Sequence, residues 1–284
     1  MTDQERFYTP PSAELLHQLT KPLRAWFSPQ YFGLENLDAA HPVMVVANHT
    51  IYGAFDFSLY FTKLYRKKGI VLRALGDHFH YQIPGWRNIV QQLGVVRGTP
   101  ENCAELMQEG AFILVYPGGS REVFKRKGEQ HQVIWKQRTG FVKLAIKYGY
   151  DIVPLAAYGP DFAYEIIKDS NDILNSFWGR LLNFSGLLNG PLKNGERLPP
   201  VVKGVGNTII PRPEKFYFSF GQPITTSLYQ NKNNNKEELS DEILFELRQQ
   251  IIDSIETQME ILKQIRENDQ QQVWWRKVLK KINS

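Results

Sequence analysis

Two polar segments of the chain contain residue types suited to proton transfer and to anion binding. The first holds His49 and Asp56, and the second holds Gly118 and Gly119, each after a short apolar run. Histidine is a base near neutral pH, and a neighbouring carboxylate fixes its tautomer and stabilises the imidazolium. Glycines after a buried strand expose backbone amides to developing negative charge. Together these groups are what acyl transfer to a hydroxyl requires.

Neither segment is specific by itself. A histidine after a strand is often structural, and paired glycines occur in many tight turns. Ser120 does not lie in a Gly-x-Ser-x-Gly sequence, which disfavours a covalent serine mechanism. Asp77, His78 and His80 cluster as metal ligands do, but they share one short segment without a distant fourth ligand. We therefore predict hydrogen bonding there and no metal site.

Composition is typical of a globular protein that can bury a large core. The 284 residues are 42% hydrophobic, and 34 Lys and Arg against 29 Asp and Glu give a net charge of +5. This mild excess favours anionic cofactors or a lipid surface over nucleic acid, although a solvated surface explains it equally well. The single cysteine, Cys103, excludes an intramolecular disulfide and favours a reducing compartment.

Apolar runs and helical periodicities alternate through the middle of the chain. This alternation predicts an α/β fold with a mostly parallel central sheet flanked by helices. The predicted strands cover 43–47, 70–76, 111–116, 151–158 and a last one near 216–220, and the predicted helices cover about 55–68, 84–93, 100–109 and 139–149.

The polar segments follow predicted strands directly. His49, Asp77 and Gly118 each come just after a strand ends. In parallel sheets, ligands bind beyond the carboxyl ends of the strands. We therefore expect these residues to share one cleft.

We divide the chain into an N-terminal amphipathic helical segment, an α/β domain, and a C-terminal part with a polar loop, a long helix and a basic aromatic tail, at residues 1–39, 40–228 and 229–284. Leucines at near-helical spacing over 11–32, broken by Pro22, predict a kinked helix. The periodicity over 240–267 predicts the long helix.

The tail suggests contact with a membrane. Trp274 and Trp275 stand beside four cations within 273–282, as in an interfacial helix, although tryptophans packed on the core are the alternative. No apolar run approaches the roughly 18 residues of a membrane span, and the polar start does not resemble a signal peptide. We expect a cytoplasmic protein, peripheral on a membrane face.

Residues 170–206 mix large apolar side chains with glycines and a Pro-Pro pair. Two interpretations remain open for this segment. It is either a lid or wall for an acyl chain, or a helical insertion packed on the sheet.

The polar segments together resemble the glycerolipid acyltransferase family, whose members carry a His-x4-Asp block, a Gly- and Arg-containing block, a Pro-Glu-Gly-Thr-Arg block and a Val-Pro block in that order. The matching segments are Asn48-His49 with Asp56, Gly94-Val95-Val96-Arg97-Gly98, Pro117-Gly118-Gly119-Ser120-Arg121 and Ile152-Val153-Pro154-Leu155. The likeness covers roughly residues 40–225.

The chain departs from the family pattern at two positions. The family spacing would place the aspartate at Ala54, two residues before Asp56, and Gly118 replaces the usual glutamate of the third block. Pro-Gly-Gly-x-x-Glu instead resembles the branch of diacylglycerol acyltransferases, transmembrane-protein-68-like proteins and phytyl ester synthases. The segments around Asp77 and Arg138 also look like that branch.

The resemblance implies a mechanism without a permanent cofactor. His49 takes the proton of an acceptor alcohol as its oxygen attacks an acyl thioester, and Asp56 supports the charged ring. Backbone amides near Gly118 and Gly119 meet the oxyanion, and no acyl-enzyme forms. The thiol of the co-substrate, acyl-CoA or acyl-carrier protein, then leaves.

Three arginines and one serine complete the implied substrate site. Arg97, Arg121 and Arg138 are placed by motif to bind phosphates of the donor's carrier, and Ser120 belongs to the same block as Arg121. In family members with phosphorylated acceptors, such arginines bind the acceptor instead. Surface salt bridges are the structural alternative.

The sequence thus leads to the hypothesis of an O-acyltransferase acting on a lipid hydroxyl at a membrane surface. The missing family glutamate favours a neutral acceptor such as diacylglycerol, monoacylglycerol or a long-chain alcohol. A lysophosphatidate acyltransferase is the enzymatic alternative. A lipid-binding protein without catalytic activity is the non-enzymatic alternative, because Asp56 lies two residues later than the family spacing places its aspartate.

Overall fold

The computed structural model describes residues 3–78, 81, 85–188, 190, 192–229, 240–269 and 276, and strands alternate with helices through most of them. The strands are β1 (Gln30–Phe32), β2 (Met44–Ala47), β3 (Leu72–Gly76), β4 (Val96–Arg97), β5 (Phe112–Val115), β6 (Ile152–Tyr158), β7 (Glu165–Lys168), β8 (Val201–Lys203) and β9 (Tyr217–Phe220). The helices are α1 (Asp3–Arg6), α2 (Ala13–Leu19), α3 (Lys21–Phe27), α4 (Ala54–Lys68), α5 (Trp86–Gln92), α6 (Pro100–Gln108), α7 (Gly119–Val123), α8 (Gly140–Tyr148), α9 (Ser170–Leu174), α10 (Phe177–Phe184) and α11 (Asp241–Asn268).

The central sheet has seven strands in the order β1-β9-β6-β2-β5-β3-β4. All neighbouring pairs run parallel except β6 and β9, which are antiparallel. The prediction of an α/β fold with a mostly parallel sheet flanked by helices is therefore confirmed. Each of the four strands predicted between 43 and 158 is present within two residues of its expected ends.

Hydrophobic cores cover both faces of the sheet. Val45 and Ala47 of β2 pack into the core beneath α4, while Met44 and Val46 pack into the core beneath α6, α8 and α11. A strand buried on both sides reads as a continuous apolar run, which is why the sequence shows no alternation there. The polar residues that follow such a strand are therefore positioned by a rigid scaffold.

The N-terminal segment differs from the predicted single kinked helix. The structure breaks it at Thr20 into α2 and α3, and α3 ends at Phe27. Pro22 lies in the first turn of α3, where a missing backbone N–H costs no helical hydrogen bond. The chain then forms β1, a strand of three residues that gives too short a pattern to be predicted.

The long C-terminal helix is confirmed as α11. Ser240 caps its start by accepting a hydrogen bond from the amide of Ile243, and the helix packs mainly against β6 and β9. Trp274 and Trp275, the predicted membrane-binding tryptophans, lie outside the described residues. Across the described part of the chain, the helices are all too short or too polar to span a bilayer.

Residues 165–203 form an insertion near the carboxyl ends of the central strands. The antiparallel strands β7 and β8 enclose α9 and α10 in sequence. Arg197 pairs with Asp77 at 2.8 Å, and the hydroxyl of Tyr52 donates to the carbonyl of Pro200 at 2.5 Å. Because Asp77 directly follows β3 and Tyr52 lies in the loop after β2, the insertion is fastened to the edge where the predicted cleft lies.

Candidate active site

The register of β2 and β5 brings the two predicted polar segments together. Val46 pairs with Val115 in parallel, and His49 and Gly118 each follow three residues later. Adjacent parallel strands are about 4.8 Å apart, so the two loops leave the sheet side by side. The expectation that His49 and the glycine turn share one edge is met by this geometry.

Asn48 fastens the histidine loop to the neighbouring strand. Its side chain is buried, donates to the carbonyl of Ala157 at 3.1 Å and accepts from the amide of Ala157 at 2.8 Å. These two bonds tie the end of β2 to β6. His49 is therefore presented from a loop that is fixed immediately before it.

The imidazole of His49 lies between an aromatic ring and a glycine. It stacks on Tyr116 with ring centroids 4.1 Å apart and an interplanar angle of 23°. A Cβ on Gly53 would come within 2.1 Å of the His49 Cε1 atom, so only glycine leaves room for the ring. The side chain is half-buried, which gives a base a route to a substrate.

The loop between His49 and Asp56 contains two consecutive left-handed residues. Tyr52 has φ of 60° and Gly53 has φ of 46°, and α4 begins immediately afterwards. A left-handed non-glycine residue is uncommon and is found mostly in turns. The loop therefore makes a tight reversal before the helix, and Asp56 falls in the first turn of α4.

Asp56 is buried next to the histidine loop. Its carboxylate accepts hydrogen bonds from the hydroxyl of Thr50 and the amide of Phe57, both at 2.8 Å. Burial raises the pKa of Asp56 to about 6, against the opposing effect of these two donors. Asp56 is thus tied to the histidine loop through Thr50, and direct pairing of its carboxylate with the imidazole of His49 stays a prediction.

Two tyrosines link the histidine to α4. The hydroxyl of Tyr60 contacts the hydroxyl of Tyr116, whose ring stacks on His49. Burial raises the pKa of both tyrosines well above the usual value, and the nearby Asp56 carboxylate adds to the effect. Both phenols therefore stay neutral at physiological pH. The contact between the two hydroxyls holds the ring of Tyr116 in place against His49.

The glycine turn is formed at the start of α7. Gly119 is left-handed with φ of 52°, and its amide donates to the carbonyl of Tyr116 at 3.0 Å. A guanidinium nitrogen of Arg138 donates to the carbonyl of Pro117 at 2.5 Å and would lie 2.9 Å from a Cβ on Gly119. Arg138 thus lies against the turn. The amide of Gly119 is already engaged in a hydrogen bond within the turn.

The other two predicted arginines lie in different surroundings. Arg121 is largely buried and forms a two-pronged ion pair with Glu129, with one contact at 2.9 Å. Arg97 is exposed on β4 and lies over the ring of Tyr81 at 5.2 Å. Because β3 separates β4 from β5, Arg97 is two strands away from the glycine turn. Ser120 follows Gly119 in the first turn of α7 and is half-buried.

Glu122 received no role in the sequence analysis, and the structure places its carboxylate between the histidine loop and the glycine turn. Its buried carboxylate accepts from the amide of Ile134 at 3.2 Å and from the backbone N–H of His49. Burial raises the pKa of Glu122 to about 7, and the positive charge of Lys125 opposes this effect. A Cβ on Gly118 would lie 2.1 Å from its Oε2 atom. Glu122 thus fills the space that Gly118 leaves empty.

Asp161 and Lys125 extend this buried charged cluster. Asp161 accepts from the amides of Ile51 and His131, both at 2.8 Å, and Lys125 lies 3.8 Å away. Lys125 is fully buried and also donates to the carbonyl of Gln132 at 3.1 Å. Asp161 therefore joins the histidine loop to the loop around His131. No sequence motif marks it, because its partners are distant along the chain.

The assembled groups are an imidazole and a glycine turn with the guanidinium of Arg138 beside it, on one edge of the sheet. The half-buried His49 can accept a proton, and the Gly118–Gly119 turn with Arg138 beside it can face negative charge. Asp77 is engaged by Arg197, and His80 lies outside the described residues. Over the described ranges, the structure has no group of three His, Cys, Asp or Glu side chains arranged for a metal ion.

Comparison with known proteins gives a consistent family relationship. The acyltransferase family model matches residues 28–158, which include His49, Asp56 and the glycine turn. Phytyl ester synthase 2 of Arabidopsis thaliana is 30% identical over 256 residues, covering 83% of this chain and 34% of that protein. The human "DGAT1/2-independent enzyme synthesizing storage lipids" is 29% identical over 132 residues, covering 46% of this chain and 40% of that protein.

The chain therefore spans only about a third of the length of the phytyl ester synthase. A crystal structure of the 1-acyl-sn-glycerophosphate acyltransferase from Thermotoga maritima aligns with a TM-score of 0.47 at 17% identity, covering 88% of this chain and 79% of that one. The acyltransferase family model thus covers β1 to β6 and the motifs in family order, and together with these relatives it supports a relationship to the glycerolipid acyltransferase family.

Proposed function

We propose that the protein transfers a fatty acyl group from acyl-CoA or acyl-carrier protein to a lipid hydroxyl, with His49 as the general base. The observation behind this proposal is the half-buried imidazole beside the glycine turn, held by parallel pairing of β2 and β5. The imidazole of His49 and the glycine turn then face the same small volume. This is the requirement for attack of an alcohol on a thioester.

In the proposed reaction, His49 accepts the hydroxyl proton as the alcohol oxygen attacks the thioester carbonyl. The carbonyl becomes an oxyanion facing the turn, and collapse of the tetrahedral intermediate breaks the carbon–sulfur bond. The protonated imidazole returns its proton to the leaving thiolate. Because the Gly119 amide already donates to Tyr116, we assign the oxyanion to the Gly118 and Ser120 amides of the same turn.

We assign Asp56 a supporting role for the imidazolium. A carboxylate with a pKa of about 6 is mostly ionised at neutral pH, and its contact with Thr50 places it behind the histidine loop. We assign donor binding to Arg138 and Arg97. Arg121 contributes through its pair with Glu129, which holds the loop after α7.

The acceptor that we propose is a neutral lipid alcohol. The names of the relatives refer to phytyl esters and storage lipids, and Gly118 with Glu122 is the pattern of that branch. Lysophosphatidate is the competing acceptor. Purified protein should be assayed with labelled acyl-CoA and, in parallel, diacylglycerol, a long-chain alcohol and lysophosphatidate. Exclusive use of lysophosphatidate would refute the neutral acceptor.

The histidine is tested by His49→Ala, with His41→Ala as the matched control. His41 is exposed and pairs only with the exposed Asp38 in the described contacts, so its loss should leave the rate unchanged. His49→Ala should lower kcat by about 10² to 10⁴ while the thermal melting profile persists. A folded wild-type protein without turnover on any donor or acceptor would favour the lipid-binding alternative.

We further propose that α10 contacts the membrane during catalysis. Its side chains Phe177, Trp178, Leu181 and Phe184 are exposed by 72%, 67%, 48% and 90%. The sequence from 173 to 195 contains Arg180 and Lys193 and no acidic residue, as suits an interfacial helix. Trp178→Ser with Phe184→Ser should reduce vesicle binding, whereas Ile261→Ser on α11 should not.

The same assay compares α10 with the predicted tail. Replacing Trp274 and Trp275 with Ala tests the tail, and activity on detergent-dispersed substrate is expected to persist in both sets of variants. Unchanged vesicle binding in both sets would refute membrane contact through either surface.

A further inference from the structure

A pocket of about 380 Å³ lies between the N-terminal helices and α4. Four basic side chains line it: Arg24 from α3 and Lys63, Arg66 and Lys67 from α4. None of these residues belongs to the proposed reaction site. The volume falls in the range of small-molecule sites and exceeds what a bare phosphate ion fills.

The positive charge of this pocket is poorly neutralised. Among the described residues, Glu14 is the only carboxylate within ion-pair distance of the four cations, at 3.6 Å from Arg66. Partial burial, followed by the charges of Lys67 and Arg66, lowers the pKa of Lys63. Like charges so close together destabilise one another, and an anion between them would relieve that repulsion.

The cationic side chains are held around the cavity. The guanidinium of Arg24 donates to the carbonyl of His17 at 2.6 Å and to the hydroxyl of Thr20 at 2.8 Å. The ammonium of Lys63 lies 5.0 Å from the centre of the Tyr31 ring. Arg24 and Lys63 are both half-buried, so a bound anion would meet fewer competing waters than on an open surface.

We propose that this pocket binds a phosphate-bearing anion. The guanidinium and ammonium groups provide several donors to phosphate oxygens. Leu59 and Pro29 form an apolar part of the wall, which suits a larger molecule that carries the phosphate. Two sources share this chemistry: the head group of an anionic phospholipid, and a soluble phosphate ester such as CoA.

The test compares Lys63→Gln/Arg66→Gln with Lys143→Gln/Lys147→Gln, which removes the same charge from exposed positions on α8. Both pairs are made in the His49→Ala background, so the binding readout does not depend on the proposed reaction. The probes are inorganic phosphate and CoA by calorimetry, and vesicles of phosphatidylcholine with or without phosphatidylglycerol by sedimentation.

We expect the pocket variant to weaken binding of at least one phosphate-bearing probe by at least about tenfold, with the control pair unaffected. Loss confined to phosphatidylglycerol vesicles identifies the lipid head group, and loss of CoA binding identifies the soluble ester. If Lys63→Gln/Arg66→Gln fails to fold, the same measurements are made on Arg66→Gln/Lys67→Gln, which changes only exposed side chains. Equal binding by pocket and control variants for every probe would overturn the proposal.

Discussion

Replacing Gly118 with alanine should perturb the site through a single steric contact. The backbone there has φ of −67°, which alanine adopts without strain. The added Cβ would lie 2.1 Å from Oε2 and 2.4 Å from Cβ of Glu122. Since carbon atoms prefer separations of about 3.5 Å or more, the Glu122 side chain must move by about 1 Å.

That displacement sets the expected cost. Overpacking of a buried site costs about 1 to 3 kcal/mol, and a hydrogen bond to a charged group contributes about 1.5 to 3 kcal/mol. Glu122 accepts from Ile134 at 3.2 Å, and a shift of that size breaks the bond. We expect Gly118→Ala to lower the free energy of unfolding by about 2 to 4 kcal/mol, and kcat by about tenfold or more, because Glu122 also holds the backbone of His49.

The assay is urea denaturation of four proteins in a double-mutant cycle: wild type, Gly118→Ala, Glu122→Gly and the double variant. Glu122→Gly removes the Cβ together with the carboxylate, so the clash disappears and the cost of Gly118→Ala should fall by about 2 kcal/mol in that background. Gly140→Ala is the control, because a Cβ there meets no atom within 4 Å. An equal cost of Gly118→Ala in both backgrounds would refute the proposed contact.

Three further predictions concern charged residues. Asp56→Asn should reduce kcat strongly, and wild-type activity would move the carboxylate role to another residue. Burial raises the pKa of Asp56 from 3.8 to about 6, so the folded state keeps a proton that the unfolded state releases. Its stabilising contribution is therefore lost as pH rises through about 6. Relative to Asp56→Asn, wild type should lose about 2 kcal/mol of unfolding free energy between pH 4 and 8, and a difference independent of pH would contradict this. Arg138→Gln should raise the KM for the acyl donor by about tenfold with a smaller effect on kcat, whereas Lys147→Gln should leave both unchanged; an unaltered KM in Arg138→Gln would remove Arg138 from donor binding.

The sequence was sufficient for the scaffold and for the meeting of His49 with the glycine turn. Strands buried on both faces give short continuous apolar runs, and the residues that follow such strands meet at one edge whatever the strand order. That His49 and the glycine turn lie at the same edge of the sheet could therefore be predicted before the order of strands was known. The left-handed backbone of Tyr52 and Gly53 could not be predicted, because the spacing of residues does not determine the sign of φ.

The contacts of the supporting side chains of the site could not be predicted from the sequence for a different reason. Asp161 bonds to the amide of Ile51, and the two residues are 110 positions apart. Glu122 was visible as part of a motif, but the direction of its carboxylate depends on the space left by Gly118. The pairing of Arg121 with Glu129 was likewise hidden, because the turn of the chain that returns Glu129 to α7 leaves no pattern in residue spacing.

The single cysteine of the protein is nearly unreactive toward thiol reagents. Cys103 lies inside α6 with 1% of its surface exposed, and burial raises its pKa to about 12. At pH 8 only about one molecule in ten thousand would carry the reactive thiolate, even before access is considered. In the proposed assay with acyl-CoA, a chromogenic disulfide reagent should therefore react with any released thiol without labelling the protein. One cysteine introduced at an exposed position should accept a fluorophore at that place alone.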